Sequence, residues 1–336
     1  MAFGNRLINT SNAGGGGVGA FASGTDFFYS LSLSSSGVIT EISSIAGPFN
    51  TYSNISIDPV NQVAYMAVGG SGIVSVDISD PSNMTILQTL STGQLVTAQD
   101  LAIDLVNQRA YVVGSGRAAS IDISDPSNMS IVSNYYSGNA TVKIKLDVPN
   151  GIAYILLQGE YYTLELVDIS NPNSMTFLNR FYLGVNGASH FELDLVNEVL
   201  YFTSSWFSPQ FSFSSVDISN SSNITLLDSI TDNVFNAAND VSLDLVNNVA
   251  YVNGGNTDTF NSIDISNPSN MSILQTFTSA NIDGPYSNAL DLTNSIAYVP
   301  SYISQKIVSV DFSNPSNMVE LNTLYFPNRV WNITLS

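Results

Sequence analysis

Two sets of aspartates recur along the chain, and carboxylates in such numbers could bind a metal ion or act as an acid/base pair. One set opens the phrase Asp-x-x-Asn-x-x-Ala/Leu-Tyr, at Asp58, Asp104, Asp147, Asp194, Asp244 and Asp291. The other ends a β-run as Asp-Ile-Ser or Asp-Phe-Ser, at Asp77, Asp122, Asp168, Asp217, Asp264 and Asp311. A residue that recurs in the same way six times has a structural role, whereas an active site occurs once and departs from the repeat. We therefore predict that these carboxylates accept hydrogen bonds from the amides of the turns that follow them.

Other residue types that carry out catalysis are sparse. The only histidine, His190, falls in a link between two repeats, and no Gly-x-Ser-x-Gly motif surrounds nearby serines such as Ser189. One histidine cannot form a histidine-rich metal centre. The glycine runs at 14–17 and 69–72 lack the lysine and the helix of a phosphate-binding loop. We predict no catalytic residue, no metal and no cofactor; a carbohydrate-active enzyme is the least favoured alternative, because no carboxylate pair stands out.

The elements that position these residues follow from the repeat. Successive Asp-Ile/Phe-Ser aspartates are 45 to 49 residues apart. Within one unit, such as residues 99–135, four runs with strand patterning are separated by three turns rich in Gly, Asn, Asp and Pro. A period of about 40–50 residues that contains only strands indicates the blades of a β-propeller.

The two ends of the chain complete the blade count. Residues 17–45 match the second, third and fourth strands of a blade, with Phe21 in place of the repeated tyrosine and Ser32 in place of the aspartate. Residues 330–335 form a lone strand pattern, which would supply the missing first strand and leave no open sheet edge. We predict an all-β, seven-bladed propeller of four-stranded antiparallel blades with this 3+1 closure over residues 17–336, preceded by an arm and a glycine-rich spacer over residues 1–16.

The repeated phrases resemble those of the LVIVD family of propeller repeats. They read Ser-Val-Asp-Ile-Ser-Asp-Pro-Ser-Asn-Met at 75–84 and Ser-Ile-Asp-Ile-Ser-Asn-Pro-Ser-Asn-Met at 262–271. The resemblance covers essentially residues 17–336 and implies the propeller fold. It implies little about activity, because a fold does not determine a function.

Composition narrows the classes of partner. Eight Lys and Arg residues oppose 27 Asp and Glu residues, which gives the 336-residue chain a net charge of −19. Such a surface repels nucleic acid and anionic membranes, so we exclude both as partners, and no apolar run predicts membrane insertion. The chain has no cysteine, hence no disulfide or thiolate metal site, and its charged residues are only 10%. Uncharged polar surfaces of this kind are common in extracellular and virion-surface β-proteins.

Recognition residues are expected where the repeat varies. In each blade the turn between the second and third strands and the link to the next blade lie on one rim, here named the variable rim; the other turns are short and uniform. Aromatic and polar residues on variable loops suit sugar stacking or protein contact. We predict ligand or partner binding by Tyr161, Tyr162, Trp206, Phe207, Asp283, Tyr286 and Tyr302. The alternative for Trp206 and Phe207 is that they fold back to cover the core.

The first ten residues belong to no blade. Met-Ala-Phe-Gly-Asn-Arg-Leu-Ile-Asn-Thr resembles a short leader found at the start of structural proteins of marine tailed phages, where different β-domains follow it. The resemblance implies an attachment peptide, with Phe3, Arg6, Leu7 and Ile8 as its anchoring residues. The alternative is a disordered terminus.

These observations predict a non-enzymatic structural or interaction protein on the surface of a phage particle, assembled in the host cytoplasm. Residues 1–12 would dock it on other virion proteins, and the variable rim would contact a host-surface glycan or protein, or a neighbouring virion protein. The alternative is an extracellular, lectin-like propeller that binds glycans.

Overall fold

The fold follows the predicted repeat. The structure, a computed structural model, describes residues 18–49, 54–93, 95, 97–158, 163–183, 188–204 and 211–336. Over these residues it contains 28 β-strands and one 3₁₀ turn, Asn233–Phe235. The strands form seven antiparallel sheets of four strands each. The chain is therefore a seven-bladed β-propeller.

The strands are numbered in chain order. Blade one contains β1 (Val18–Gly24), β2 (Phe27–Leu33) and β3 (Ile39–Ala46). Blades two to four contain β4 (Asn54–Asp58), β5 (Val63–Val68), β6 (Gly72–Asp77), β7 (Thr85–Leu90), β8 (Asp100–Asp104), β9 (Arg109–Gly114), β10 (Arg117–Asp122), β11 (Ser130–Tyr136), β12 (Ala140–Asp147), β13 (Ile152–Gln158), β14 (Thr163–Asp168) and β15 (Thr176–Tyr182). Blades five to seven contain β16 (Ala188–Asp194), β17 (Val199–Ser204), β18 (Ser212–Asp217), β19 (Thr225–Thr231), β20 (Val241–Asp244), β21 (Val249–Gly254), β22 (Thr259–Asp264), β23 (Ser272–Thr278), β24 (Ala289–Asp291), β25 (Ile296–Ser301), β26 (Lys306–Asp311) and β27 (Val319–Tyr325). The last strand is β28 (Val330–Leu335).

The described chain divides into two compact units. One comprises the chain up to Thr25, Tyr29–Ile42 and Ser189–Ser336; the other comprises Asp26–Phe28 and Ser43–Ala188. In both, the second and third strands of a blade are buried along most of their length, whereas the fourth strands are half-buried or exposed along most of theirs. Residues on strands buried on both faces can be apolar without alternation, which explains continuous runs such as Val-Ala-Tyr-Met-Ala-Val in β5.

The Asp-x-x-Asn phrase forms the turn between the first and second strands. Asp58 Oδ1 accepts hydrogen bonds from the main-chain N–H groups of Val60 and Asn61, at 2.9 and 3.0 Å. Asp58 Oδ2 accepts from the Asn61 side-chain amide at 2.7 Å. The bond between the Asp and Asn side chains recurs at the same length in the other five repeats. The prediction that these aspartates are structural is confirmed.

The Asp-Ile-Ser phrase forms the turn between the third and fourth strands. Its aspartate accepts a hydrogen bond from the N–H of the serine two residues later, in all six repeats. The proline of the next blade's turn then accepts, through its carbonyl oxygen, from a buried serine: Ser75 donates to Pro126, and Ser262 donates to Pro315 at 2.6 Å. Phrases that look local in sequence therefore join neighbouring blades.

The repeated tyrosines belong to the core. Tyr65, Tyr111, Tyr154, Tyr201, Tyr251 and Tyr298 are all at most 3% exposed. Tyr65, for example, packs with Ile121, Ile123 and Met129 of the following blade. Burial raises the pKa of Tyr111 to about 12, and the charge of Asp104 adds to the effect. The tyrosine is therefore a neutral packing residue.

Blade one closes as the sequence predicts. Its strand order is β28-β1-β2-β3, with Ala20 opposite Leu335 and Gly24 opposite Val330. The N–H of Ser336 donates to the carbonyl oxygen of Gly19 at 2.9 Å, which extends the pairing beyond the last strand residue. Phe21 is 3% exposed and takes the buried place of the repeated tyrosine.

The aspartates of the second phrase predict loss of stability in acid. Hydrogen bonds from the following serine hold the pKa values of Asp77, Asp122, Asp168, Asp217 and Asp264 below their ordinary 3.8. A lowered folded-state pKa adds stability above the unfolded pKa, and that stability is lost as the pH falls. We expect the urea concentration at the unfolding midpoint to decrease as the pH is lowered from about 5 to about 3.

The matched control is a variant with Asp77, Asp168 and Asp217 changed to Asn. It should be less stable at neutral pH and should lose less on acidification. Equal midpoints at pH 7 and pH 3 for the natural chain would contradict the assignment.

Candidate ligand-binding site

The structure covers part of the predicted recognition set. Tyr161, Tyr162, Trp206 and Phe207, and the arm residues Phe3, Arg6, Leu7 and Ile8, lie outside the described residues. Asp283, Tyr286 and Tyr302 are described, and all three are half-buried. They come from the link between blades six and seven and from the turn between β25 and β26, as expected for the variable rim.

An aromatic cluster forms where blade seven meets blade one, and it consists of Tyr286, Tyr302 and Trp331. The Tyr302 and Trp331 rings are stacked, with centroids 4.3 Å apart and planes at 16°. Tyr286 presents its edge to both, with centroids 5.3 Å from Trp331 and 6.4 Å from Tyr302. Stacked and edge-to-face pairs at these distances are favourable beyond simple burial. Three separate segments thus converge on one aromatic surface.

Main-chain pairing holds the link against the turn. The N–H of Tyr286 donates to the carbonyl oxygen of Pro300, and the N–H of Tyr302 donates to that of Gly284, both at 3.1 Å. The N–H of Ile303 donates to the carbonyl oxygen of Asp283 at 3.2 Å. The link therefore pairs with the end of β25 like a short extra strand, which fixes Tyr286 and Tyr302 relative to each other.

Gly284 is required by this close approach. Its φ is +65°, in the region that favours glycine. A Cβ atom at this position would lie 2.7 Å from Cε1 of Tyr302 and 2.9 Å from the side chain of Ile303. The Asp283-Gly284-Pro285 segment therefore positions the Tyr302 ring. This role of Gly284 was not predicted from the sequence.

Trp331 is the member of the cluster that the sequence did not single out. It is 7% exposed, and its Nε1 donates to Thr25 Oγ1 at 3.4 Å, in the turn after β1. Its position in the repeat could have revealed it. Counted back from the aspartate that ends the first strand, whose place Ser336 takes in blade one, Trp331 and Tyr286 occupy the same position of the repeat, where blades three to six have Gln99, Val142, Ser189 and Asn239.

The outer part of the cluster combines apolar and positive groups. The exposed guanidinium of Arg329 lies 5.8 Å from the centroid of the Tyr302 ring. Ile303, in the same turn, is 51% exposed. Half-exposed tyrosines beside an arginine offer an aromatic edge, hydroxyl hydrogen bonds and a positive charge. This combination suits the apolar face and the hydroxyl or carboxylate groups of a sugar.

The candidate catalytic residues have structural partners. The Ser189 hydroxyl contacts the carbonyl oxygen of Ala238 at 2.6 Å and Thr203 Oγ1 at 2.9 Å. His190, predicted to lie in a link between repeats, instead lies within β16, because this first strand begins two residues before it. No group of three His, Asp or Glu side chains able to hold a metal ion occurs in the part of the chain that the structure describes.

A buried ionic network in blade four is a second departure from the repeat. Glu165, on β14, is fully buried and contacts the Tyr135 hydroxyl. Its Oε2 accepts from Arg180 Nε at 3.0 Å, and Arg180 also donates to the Ser137 carbonyl oxygen at 2.9 Å. Burial, with the hydrogen bond to Glu165, raises the pKa of Tyr135. This fully paired charge holds β11, β14 and β15 together.

Comparison with family models identifies the repeats. The LVIVD repeat model matches residues 62–92, 106–137, 148–182, 238–279 and 301–324. These five segments, which lie in blades two, three, four, six and seven, are similar to the LVIVD repeat. No curated protein sequence matches it at a significant level.

Solved structures confirm the architecture. A protein from Lactobacillus plantarum is similar with a TM-score of 0.82 and 12% identity, over 95% of this chain and 99% of that one. A functionally unknown protein from Desulfotomaculum acetoxidans has a TM-score of 0.75 and 14% identity, over 95% and 98% of the two chains. The periplasmic gluconolactonase of Pseudomonas aeruginosa has a TM-score of 0.77 and 9% identity, over the same shares. At these identities the likeness concerns the fold alone.

Among the described residues, no helix has the length and apolar character needed to pass through a bilayer.

The buried position of Trp331 predicts that it stabilises the closure. Trp331→Ala removes the stacking partner of Tyr302 and leaves a cavity beside β28, so we expect a loss of about 3–5 kcal/mol in the free energy of unfolding. Urea denaturation measures it. Tyr136→Ala, at a 63% exposed tyrosine on β11, is the control and should change stability by less than about 0.5 kcal/mol. A Trp331→Ala loss no larger than that of the control would exclude this role.

Proposed function

We propose that the protein is a non-enzymatic recognition propeller that binds a surface ligand, in the first place a glycan, through its variable rim. The observation that carries the proposal is the Tyr286–Tyr302–Trp331 cluster with Arg329 beside it. It lies where the repeat predicts recognition loops. It also breaks the repeat, as a specific site must, because the corresponding first-strand positions of blades three to six carry no aromatic residue.

The division of labour within the cluster supports this proposal. Trp331 is buried and supports the other two rings from beneath, whereas Tyr286 and Tyr302 are half-buried and keep accessible edges. Aromatic residues held rigidly at low conformational cost are the common centres of binding energy in interfaces. The pairing between the link and β25 holds these tyrosines in place before any ligand binds, which reduces the entropy lost on binding.

The carboxylates of the chain give less support to an enzyme. The six Asp-x-x-Asn aspartates are almost fully buried and are engaged by the amides of their own turns. Glu165, the most buried acid among the described residues, is engaged by Arg180 and Tyr135. A lactonase activity like that named for one structural neighbour would need other groups, so a hydrolysis assay with a sugar lactone is the direct check.

We place the protein on the surface of a phage particle. The leader-like sequence of residues 1–12 supports this placement, as does a surface with few charges and no cysteine. In this arrangement the arm docks on other virion proteins, and the variable rim meets a host-surface glycan or protein. Several copies on one particle would raise the avidity without strong binding at a single site. The alternative, a free extracellular lectin-like propeller, shares the same rim.

Binding to glycans tests the rim. We expect the natural chain to bind a subset of an array of bacterial surface oligosaccharides that includes acidic sugars. The Tyr286→Ala/Tyr302→Ala double variant should bind at least about tenfold more weakly, because it removes both accessible aromatic edges.

The matched control is Tyr136→Ala, which removes an exposed tyrosine outside the cluster that also lies beside an arginine, with Arg117 4.5 Å from its ring centroid. This variant should bind like the natural chain. Equal binding by the double variant and the natural chain would show that the cluster is not part of the binding site. No binding by the natural chain would leave protein contact as the function of the rim.

A truncation tests the arm. Light scattering after gel filtration compares the full chain with one that begins at Gly17. If residues 1–12 are an assembly device that also joins copies of the chain, we expect a defined oligomer for the full chain and a monomer for the truncated one. Equal monomers would exclude self-assembly through the arm, and the lectin-like alternative would then be preferred.

A further inference from the structure

A chain of short polar contacts joins the link before blade seven to strands β26 and β27. Lys306 Nζ lies 2.6 Å from Asn281 Oδ1, and Asn281 Nδ2 lies 2.6 Å from Glu320 Oε1. The three residues are 14 to 39 positions apart in sequence and half-buried. Lys306 is one of only three lysines in the chain, so a lysine placed against an asparagine and a glutamate is not a consequence of abundance.

Neighbouring groups fix the position of each member. Glu320 also accepts hydrogen bonds from the Ser279 hydroxyl and from Thr323 Oγ1, the latter at 2.9 Å. The main-chain carbonyl oxygen of Asn281 accepts a hydrogen bond from the Ser304 hydroxyl at 2.9 Å. Side chains held in this way have lost most of their rotational freedom, which is the main entropic barrier to a reaction between them.

The three groups have the roles that amide exchange requires. The nitrogen of Lys306 lies against the carbonyl end of the Asn281 amide, so the carbon to be attacked is one bond away from the contacted oxygen. The carboxylate of Glu320 lies against the nitrogen that would leave. Burial alone would raise the pKa of Glu320, but its hydrogen bonds from Ser279, Asn281 and Thr323 and the charge of Lys306 outweigh burial and lower it. Glu320 is therefore ionised at neutral pH and available to relay a proton.

We propose that Lys306 and Asn281 react with each other to form an intramolecular isopeptide bond. The lysine ammonium gives a proton through solvent to Glu320, and its lone pair attacks Cγ of Asn281, forming the Nζ–Cγ bond. The Cγ–Nδ2 bond then breaks, Glu320 passes its proton to the departing nitrogen, and ammonia leaves. The second proton of the attacking nitrogen goes to Glu320 and then to ammonia or solvent. No oxidant, reductant or external reactant is needed.

The product would be a covalent tie in a chain without disulfides. It would join the link that carries Asp283 and Tyr286 to the first residue of β26. This inference does not depend on the proposed function, because the three residues lie together whether or not the rim binds a ligand. It places a modification site at residues that the repeat does not share: the residue corresponding to Lys306 is Gly72 in blade two and Thr259 in blade six.

Mass spectrometry of the purified full chain tests the proposal. We expect a species lighter than the sequence mass by one ammonia, about 17 Da. Proteolysis should then yield a branched peptide in which the segment with Asn281 is joined to the segment with Lys306. Lys306→Arg, Asn281→Ala and Glu320→Gln should each have their full sequence mass, and Lys143→Arg, at a lysine on β12, should remain lighter by one ammonia.

Peptide mapping also separates this reaction from cyclisation of an asparagine that precedes glycine, such as Asn150, which releases ammonia without a branch. A natural chain with its full sequence mass overturns the proposal. So does a mass loss that maps to another asparagine, or one that persists in Lys306→Arg. The measurement on the natural chain is decisive by itself, so failure of a variant to fold does not obscure the result.

Discussion

The structure depends on the need of buried polar groups at strand ends for hydrogen-bond partners. In each of six blades a carboxylate that is at most 5% exposed occupies the end of the first strand. Burial of a charge is costly unless the charge is fully hydrogen-bonded. The turn provides these bonds, because the amides and the asparagine side chain converge on the two carboxylate oxygens. The aspartate in return fixes the conformation of the turn, and with it the register of the second strand, where the repeated tyrosine must face the core.

Hydrogen bonds to buried polar groups also join neighbouring blades. A serine in the third strand donates to the proline carbonyl oxygen of the next blade's turn. In the fourth strand, Asp228 accepts from the N–H of Met271 in the next blade at 2.7 Å, while that methionine's side chain is buried. Each turn is thus completed by its neighbour. This explains why the residues of the Asp-Ile-Ser turn recur from blade to blade even where the turn is exposed and most surface residues could be exchanged freely.

Prediction from sequence succeeded where a rule is repeated and was limited where a contact occurs once. Strand order, the turn aspartates, the core tyrosines and the 3+1 closure all follow from local patterns that occur six or seven times. Tyr286 and Tyr302 were predicted as binding residues because they are aromatic residues in variable loops. Trp331 was assigned only to the closing strand, because its partners are about 30 and 45 residues earlier in the chain. The roles of Gly284, Lys306 and Glu320 depend on distances between segments, which no periodicity encodes.

The pairing of β1 with β28 also determines how the closure responds to force. β1 begins and β28 ends at the same end of the sheet, since Gly19 pairs with Ser336 there and Gly24 pairs with Val330 at the other end. A force pulling Gly19 and Ser336 apart therefore acts across the hydrogen bonds and loads them one after another. Two strands pulled from opposite ends would instead share the load along their length. Blade one would open like a zipper from the terminal pair inwards, and the last barrier to opening would be the contact between Trp331 and Thr25.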